Sequence, residues 1–281
     1  AANRTEAYLP LFQNKKIGIV GNQSSLIKRS KNTSEADSYT HLVDSLVSLE
    51  VNIIRVFAPE HGFRGTADAG ESIKDGKDVK TGLSIISLYG DNKKPKPEQI
   101  KDIELMIFDL QDVGARFYTY ISTLHYVMEA CAENNIPLLL LDRPNPNGHY
   151  VDGPTLKMEH NSFVGMHPIP VVHGLTLGEY AQMINGEKWL KNGVKCKLEV
   201  IKMENYSHDL SYNLPVKPSP NLPNAKAINL YPSLCFFEGT NVNAGRGTNK
   251  QFQVYGSPFL NKEVYEFSYT PVSTEGATSP K

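Results

Sequence analysis

Residues 105–110 read LMIFDL, four apolar side chains followed by Asp109 and Leu110. Apolarity that is continuous rather than alternating fits a strand covered on both faces, as in a parallel sheet. The same texture recurs on either side, as KIGIV at 16–20, VNIIRVF at 51–57, LSIISLY at 83–89 and IPLLLLD at 136–142. Helical spacing fills the gaps. In THLVDSLVSL, residues 40–49, Leu42, Leu46 and Leu49 share a face behind Thr40 as N-cap. In YISTLHYVMEACAENN, residues 120–135, the face is Ile121, Leu124, Val127, Met128 and Cys131, with a stop at Asn134 and Asn135. Strand alternating with helix predicts an open, doubly wound α/β domain.

After DRPNPNG, residues 142–148, the texture changes to a loop-rich crossing marked by Pro154, Pro168 and Pro170. This places a domain boundary near residue 150, with an α/β domain over 1–150 and a smaller α+β domain over 151–281. The second part holds one helix from Thr176, one strand in KLEVIKM at 197–203, and two Pro- or Gly-rich loops, VKPSPNLPN and FEGTNVNAGRGTN. Loops of this kind are where function tends to sit.

The chain has 281 residues and a formal charge of -1 from 29 basic and 30 acidic side chains. That balance gives no electrostatic case for nucleic acid or an anionic membrane, so a small polar substrate is expected. No apolar run reaches the roughly 18 residues of a membrane span. Cys131, Cys196 and Cys235 share no metal-binding or disulfide spacing and read as buried free thiols.

Ligands in open α/β sheets bind beyond the carboxyl ends of the strands. Those ends are polar here: Asn22 and Gln23, Glu60 and His61, Tyr89 and Gly90, Asp109 with Gln111 and Asp112, and Asp142 with Arg143. No G-x-G-x-x-G follows a strand and no Walker loop is present, so no nucleotide, cofactor or metal is assigned. In FAPEHGFRG, residues 57–65, Glu60 lies beside Phe57 and Phe63, and partial desolvation would raise its pKa towards that of an acid catalyst. It reads equally as an ion-pair partner of Arg64. Glu238 in FFEGTN has a similar setting, and two carboxyls in one cleft are what glycoside hydrolysis usually requires. Arg116 reads as a clamp for a ligand carboxylate, and Tyr118 with Tyr120 as apolar faces carrying hydroxyls for a sugar. The plainer reading has Asp112 capping a helix while the tyrosines pack. A divalent metal on His61, Asp109, Asp112, Asp142 and His173 is an alternative without H-x-H or H-E-x-x-H support. Trp189 reads as core or interface.

The motifs PEHGFRGTADAGE, TGLSIISLYG, FDLQDVGARFYTYISTL, LDRPNPNG, SFVGMHPIPVVHGLTLGEYAQMING, KPSPNLPN, LYPSLCFFEGTNVNAGRGT and QFQVYGSPF follow in order from about residue 15 to residue 260. Together they resemble the NamZ-type exo-β-N-acetylmuramidases. The resemblance implies an enzyme that releases terminal N-acetylmuramic acid from the non-reducing end of peptidoglycan fragments. It also implies a Rossmann-like first domain, a smaller second domain and a cleft between them. The family's catalytic glutamate falls on Glu60, as general acid. Glu238, or an assisting group such as the substrate's own N-acetyl, would act at the anomeric carbon, with His61 as a further catalytic candidate. Arg64, Arg116, Tyr118, Asn145, His173, Asn221 and Arg246 match family motifs as substrate-binding candidates, and one of Arg64, Arg116, Arg143 and Arg246 would hold the lactyl carboxylate. The loop around Asn243 and the stretch LPVK depart from the family pattern and read as substrate tuning. Family members continue beyond residue 281, so the second domain is expected to be C-terminally incomplete. The substrate implies export to the periplasm or cell envelope with a leader already removed. The rival readings are a cell-wall sugar-binding protein without turnover and a metal-dependent hydrolase.

Overall fold

A computed structural model describes residues 1–28, 39–65 and 75–280. Its strands are β1 (Ile17–Gly21), β2 (Leu26–Lys28), β3 (Tyr39–His41), β4 (Ile53–Ala58), β5 (Gly76–Lys77), β6 (Ser84–Ser87), β7 (Leu105–Asp109), β8 (Leu138–Leu141) and β9 (Leu198–Ile201). Its helices are α1 (Thr5–Tyr8), α2 (Leu42–Ser48), α3 (Pro97–Ile100), α4 (Tyr120–Glu133), α5 (Leu177–Gly186) and α6 (Ala225–Leu234). A seven-stranded sheet runs β5-β6-β4-β1-β7-β8-β9, parallel except for the β5–β6 edge. The chain starts at the centre with β1, steps out through β4 to β6, then returns to the other side of β1 and steps out through β7, β8 and β9. The winding reverses between β1 and β7, the point where open α/β sheets leave a crevice.

The continuous apolar runs have the expected cause. Every residue of β1, β7 and β8 is buried, because both faces of the sheet are covered. Successive side chains point to opposite faces, so Met106, Phe108, Leu138 and Leu140 enter one core with the α4 face and with Leu177, Tyr180 and Ile184 of α5. Leu105, Ile107, Leu139 and Leu141 enter the other, with Leu42, Val43 and Leu46 of α2. Each such side chain contributes about 1.5–3 kcal/mol relative to exposure.

Helix α4 keeps the face and stop read from the sequence, with Asn134 as C-cap and Asn135 left-handed at φ 57°. Helix α2 differs. Thr40 is drawn into β3 by pairing with Ile27, so His41 becomes the N-cap, its Nδ1 accepting from the Val43 N–H at 3.2 Å. Leu49 falls just past the helix end and is 53% exposed. Trp189 belongs to the core, stacked on His167 at 4.4 Å, and all three cysteines are buried free thiols.

The sheet does not end near residue 150. The outer edge of β8 carries unpaired backbone groups, and β9 satisfies them in parallel register from Leu138↔Leu198 to Leu141↔Ile201. Ala227, Ile228 and Tyr231 of α6 join the same core as Phe108, so residues on both sides of 150 share one apolar layer.

Candidate active site

Strand β4 ends at Ala58, and the chain turns at once, closed by the Gly62 N–H donating to the Pro59 carbonyl at 3.0 Å. The turn places His61 at φ 71° and Gly62 at φ 78°. Left-handed backbone is uncommon outside glycine, so a buried histidine held there marks a turn that the surroundings enforce. The result is Glu60 half-buried at the carboxyl edge of the sheet, next to β1. Thr119 Oγ1 donates to Glu60 Oε2 at 2.8 Å. The Tyr120 hydroxyl donates to the Glu60 carbonyl at 3.4 Å and accepts from Asn22 Nδ2 at 2.7 Å, tying the turn to the exit of β1. Burial and the Glu60 charge together push the Tyr89 hydroxyl above its ordinary pKa, which puts Tyr89 at the same carboxylate.

The second carboxyl comes from the 3-10 turn Cys235–Gly239 that follows α6. Glu238 is solvent-accessible, its side chain 35% exposed and 3.5 Å from Arg246; partial desolvation pushes its carboxyl up, Arg246 opposes this, and the Glu60 charge adds to it. The Glu60 charge thus reaches Glu238, although the two lie 178 residues apart in sequence (238 minus 60). Both charges also reach Tyr231, whose hydroxyl is raised chiefly by burial and then by Glu238, Cys235 and Glu60. Edge-on ring contacts run from Tyr120 to Tyr118 at 4.7 Å, from Tyr118 to Tyr231 at 6.0 Å and from Tyr231 to Phe252 at 5.0 Å. Thr119 and Tyr231 carry no sequence signature of their own. The readable signal at Thr119 is its place before a helical apolar pattern, which says N-cap rather than catalysis.

The structure separates the remaining candidates. Arg64 is not available as a substrate clamp and does not pair with Glu60: it forks onto Asp44 at 2.9 Å and Asp78 at 2.7 Å. Burial pushes Asp78 up, but hydrogen bonds from Arg64 and Thr81 outweigh this and hold it at about 2. Arg143 binds Asp109 through two bonds of 2.6 and 2.9 Å. Arg246 faces Glu238 at 3.5 Å and donates to the Gly276 carbonyl. Arg116 has no ion pair among the described residues, and its Nη1 donates to the carbonyls of Pro154 and Ile169 at 2.8 and 2.6 Å.

Tyr118 corrects the sugar-contact expectation: it is buried, and its hydroxyl donates to the Pro218 carbonyl at 2.9 Å. Asn145 is likewise internal, donating to the Leu175 carbonyl and accepting from the Asn147 N–H. It fills the space beside Gly114, whose φ of 76° and missing Cβ let the β7 exit loop pass. His173 is buried with Nδ1 accepting from the Leu175 N–H and Nε2 3.7 Å from Asp112. Asn221 donates to the Gly276 carbonyl. These four hold the loops that frame the site. The proposed metal set does not assemble either, since Asp109 is committed to Arg143 and Asp142 to the start of α5. No group of three or more His, Cys, Asp or Glu among the described residues is arranged to hold a metal.

The β1–β7 crevice, where a dinucleotide phosphate would sit in related folds, is filled by side chains. Ser25 Oγ donates to the Asp109 carbonyl at 2.6 Å, and Ser24 Oγ accepts from the Gln111 N–H at 3.0 Å. A cavity of ≈370 Å³ lies beside Arg143 and includes Tyr39, Tyr206 and Tyr212, away from Glu60 and Glu238. The end of the PEHG motif, Thr66 to Glu71, lies outside the described residues.

Fold and site together define a doubly wound α/β protein whose polar site is built around Glu60 at the carboxyl edge of its sheet. The family model for the N-terminal part of the exo-beta-N-acetylmuramidase NamZ matches residues 17–226, and the model for its C-terminal part matches residues 229–277. The chain belongs to this NamZ family. The peptidoglycan beta-N-acetylmuramidase NamZ of Bacillus subtilis is 40% identical over 276 residues, which is 96% of this chain and 64% of the relative. The chain thus spans a little under two thirds of that relative's length. Two crystal structures of DUF1343 family proteins from Bacteroides fragilis are also similar. One has a TM-score of 0.86 at 48% identity over 99% of this chain and 72% of its own. The other has a TM-score of 0.80 at 32% identity over 92% and 65%. The N-terminal family model runs through residue 150 without a break.

Proposed function

We propose that the protein is an exo-acting glycoside hydrolase that releases terminal N-acetylmuramic acid from the non-reducing end of peptidoglycan-derived glycans. The observation that carries this reading is Glu60 standing at the carboxyl edge of the sheet with its Oε2 held by Thr119 at 2.8 Å, and its charge reaching a second carboxyl, Glu238; glycoside hydrolysis usually uses two carboxyls. The family name and the Bacillus relative supply the sugar. In this reading Glu60 protonates the leaving oxygen, and Glu238 or the substrate's N-acetyl group supports the anomeric carbon as positive charge develops there. Arg116 takes the lactyl carboxylate, because the other three strand-end arginines already face carboxylates. A cell-wall substrate supports a periplasmic or cell-envelope location. No helix among the described residues is long and apolar enough to cross a membrane.

A second reading exchanges the carboxyl roles, and the upward push on Glu238 favours it: Glu238 gives the proton and Glu60 supports the anomeric carbon. Glu60→Gln and Glu238→Gln, assayed on an aryl glycoside with a good leaving group and on a disaccharide, distinguish the two. The acid's variant keeps its rate on the aryl substrate far better than on the disaccharide, since a good leaving group needs little protonation. We expect that pattern for Glu60→Gln. Its appearance in Glu238→Gln instead would establish the exchanged roles, and full activity in both variants would remove the site from the chemistry.

A further inference from the structure

Helix α4 begins with an anomaly. Thr119 is its N-cap, yet its side chain makes no capping hydrogen bond. A threonine in that position ordinarily accepts from a first-turn N–H, an interaction worth about 1 kcal/mol. Here the residue is 8% exposed and its hydroxyl donates to Glu60 Oε2 at 2.8 Å. The Thr119 backbone is itself helical, at φ -73° and ψ -6°, rather than in the extended geometry of a side-chain cap, and its carbonyl accepts from the Ser122 and Thr123 N–H groups at 3.0 Å each. The helix is 14 residues long and starts beside the carboxylate, so its positive N-terminal end adds to the same field.

We propose that Thr119 is the positioning residue of the reaction, fixing the Glu60 carboxyl by its Oε2 so that Oε1 presents the proton to the glycosidic oxygen. This rests on Glu60 being the general acid. As the C1–O bond breaks, its electron pair passes to the leaving oxygen, which takes the proton from Oε1. Water supplies the hydroxyl that ends on C1 and releases its other proton to solvent. Glu60 ends the step as a carboxylate. A hydrogen bond from a hydroxyl is stronger to a carboxylate than to a neutral carboxyl. The Thr119 bond therefore strengthens as the transition state forms, which is the condition for raising kcat rather than tightening ground-state binding.

The test is a pH profile of kcat/KM for wild type, Thr119→Val and Thr119→Ser on a disaccharide substrate and on an aryl glycoside with a good leaving group. Removing a donor from a carboxylate disfavours its ionised form, so with Glu60 as the acid Thr119→Val moves the basic limb upward. It should also lower kcat on the disaccharide about 10- to 100-fold, with a much smaller loss on the aryl glycoside and KM little changed. Thr119→Ser restores the limb and most of the rate. The limb position and the ratio between substrates do not depend on the fraction of enzyme folded, so partial misfolding of the valine variant cannot imitate the result. A basic limb that stays in place, or an equal loss on both substrates, overturns the role of Thr119. Movement of the acidic limb instead upholds Thr119 as the residue that sets Glu60 but contradicts Glu60 as the acid.

Discussion

Arg116 is 5% exposed, and its guanidinium makes both of its hydrogen bonds through Nη1, while Nε is buried without a partner. Burial disfavours its charge and lowers its pKa, and a cation held this way without an anion is costly. A substrate carboxylate would relieve that cost, since a charge-assisted bond contributes about 1.5–3 kcal/mol. Wild type should therefore prefer a glycoside with a free lactyl carboxylate over its carboxamide by about 10- to 100-fold in kcat/KM. Arg116→Gln should bring that ratio close to one, and an unchanged ratio in competing-substrate assays would remove Arg116 from recognition. The residue types at the site were readable in the sequence, but their partners were not. Arg64 looked like the neighbour of Glu60, whereas its carboxylates are 20 and 14 residues away at Asp44 and Asp78. The chain reversal that brings them together depends on packing and leaves no local pattern.

Helix α5 is the element whose start is most fully determined locally. Thr176 accepts from the Glu179 N–H, and Glu179 accepts from the Thr176 N–H at 2.8 Å, a reciprocal capping box. The Thr176 hydroxyl also donates to Asp142 Oδ2 at 2.8 Å, and Asp142 Oδ1 accepts from the Gly178 N–H at 2.9 Å. The exit of β8 is thus locked to the start of α5. Thr176→Ala should destabilise the protein by about 1–2 kcal/mol in urea unfolding, from the lost cap and the lost bond to Asp142. Thr176→Ser should recover most of it, and wild-type stability in the alanine variant would contradict the account. This start was legible because the cap is local: Thr176 opened the helix read from the sequence. The start of α2 was not, because Thr40 is claimed by a cross-strand pairing with Ile27 that no window centred on the helix contains.

At the scale of the whole molecule, the apolar runs revealed the sheet because both of its faces are covered. They did not reveal that β9 extends it past residue 150, since a Pro-rich crossing looks the same whether it separates domains or joins one. The same core holds a buried histidine pair. His167 Nε2 meets His125 Nδ1 at 2.9 Å, and His167 Nδ1 meets the Tyr180 hydroxyl at 2.8 Å. Burial lowers the pKa of both, that of His167 to about 3 with the His125 charge adding to the effect. Glu129 and Lys94 face His125 from α4 and the loop before α3. An unfolded histidine titrates near 6.5, so the unfolded state binds more protons as pH falls below that value, and stability declines towards about pH 3. Urea midpoints should therefore drop between pH 7 and pH 4, and His167→Gln should flatten that slope; an equal slope in the variant would exclude the pair as its source. The central claim is the sugar. Incubation with a para-nitrophenyl β-glycoside of N-acetylmuramic acid, beside the N-acetylglucosamine analogue, should release nitrophenol from the first and little from the second. Cleavage of the N-acetylglucosamine glycoside alone would contradict it.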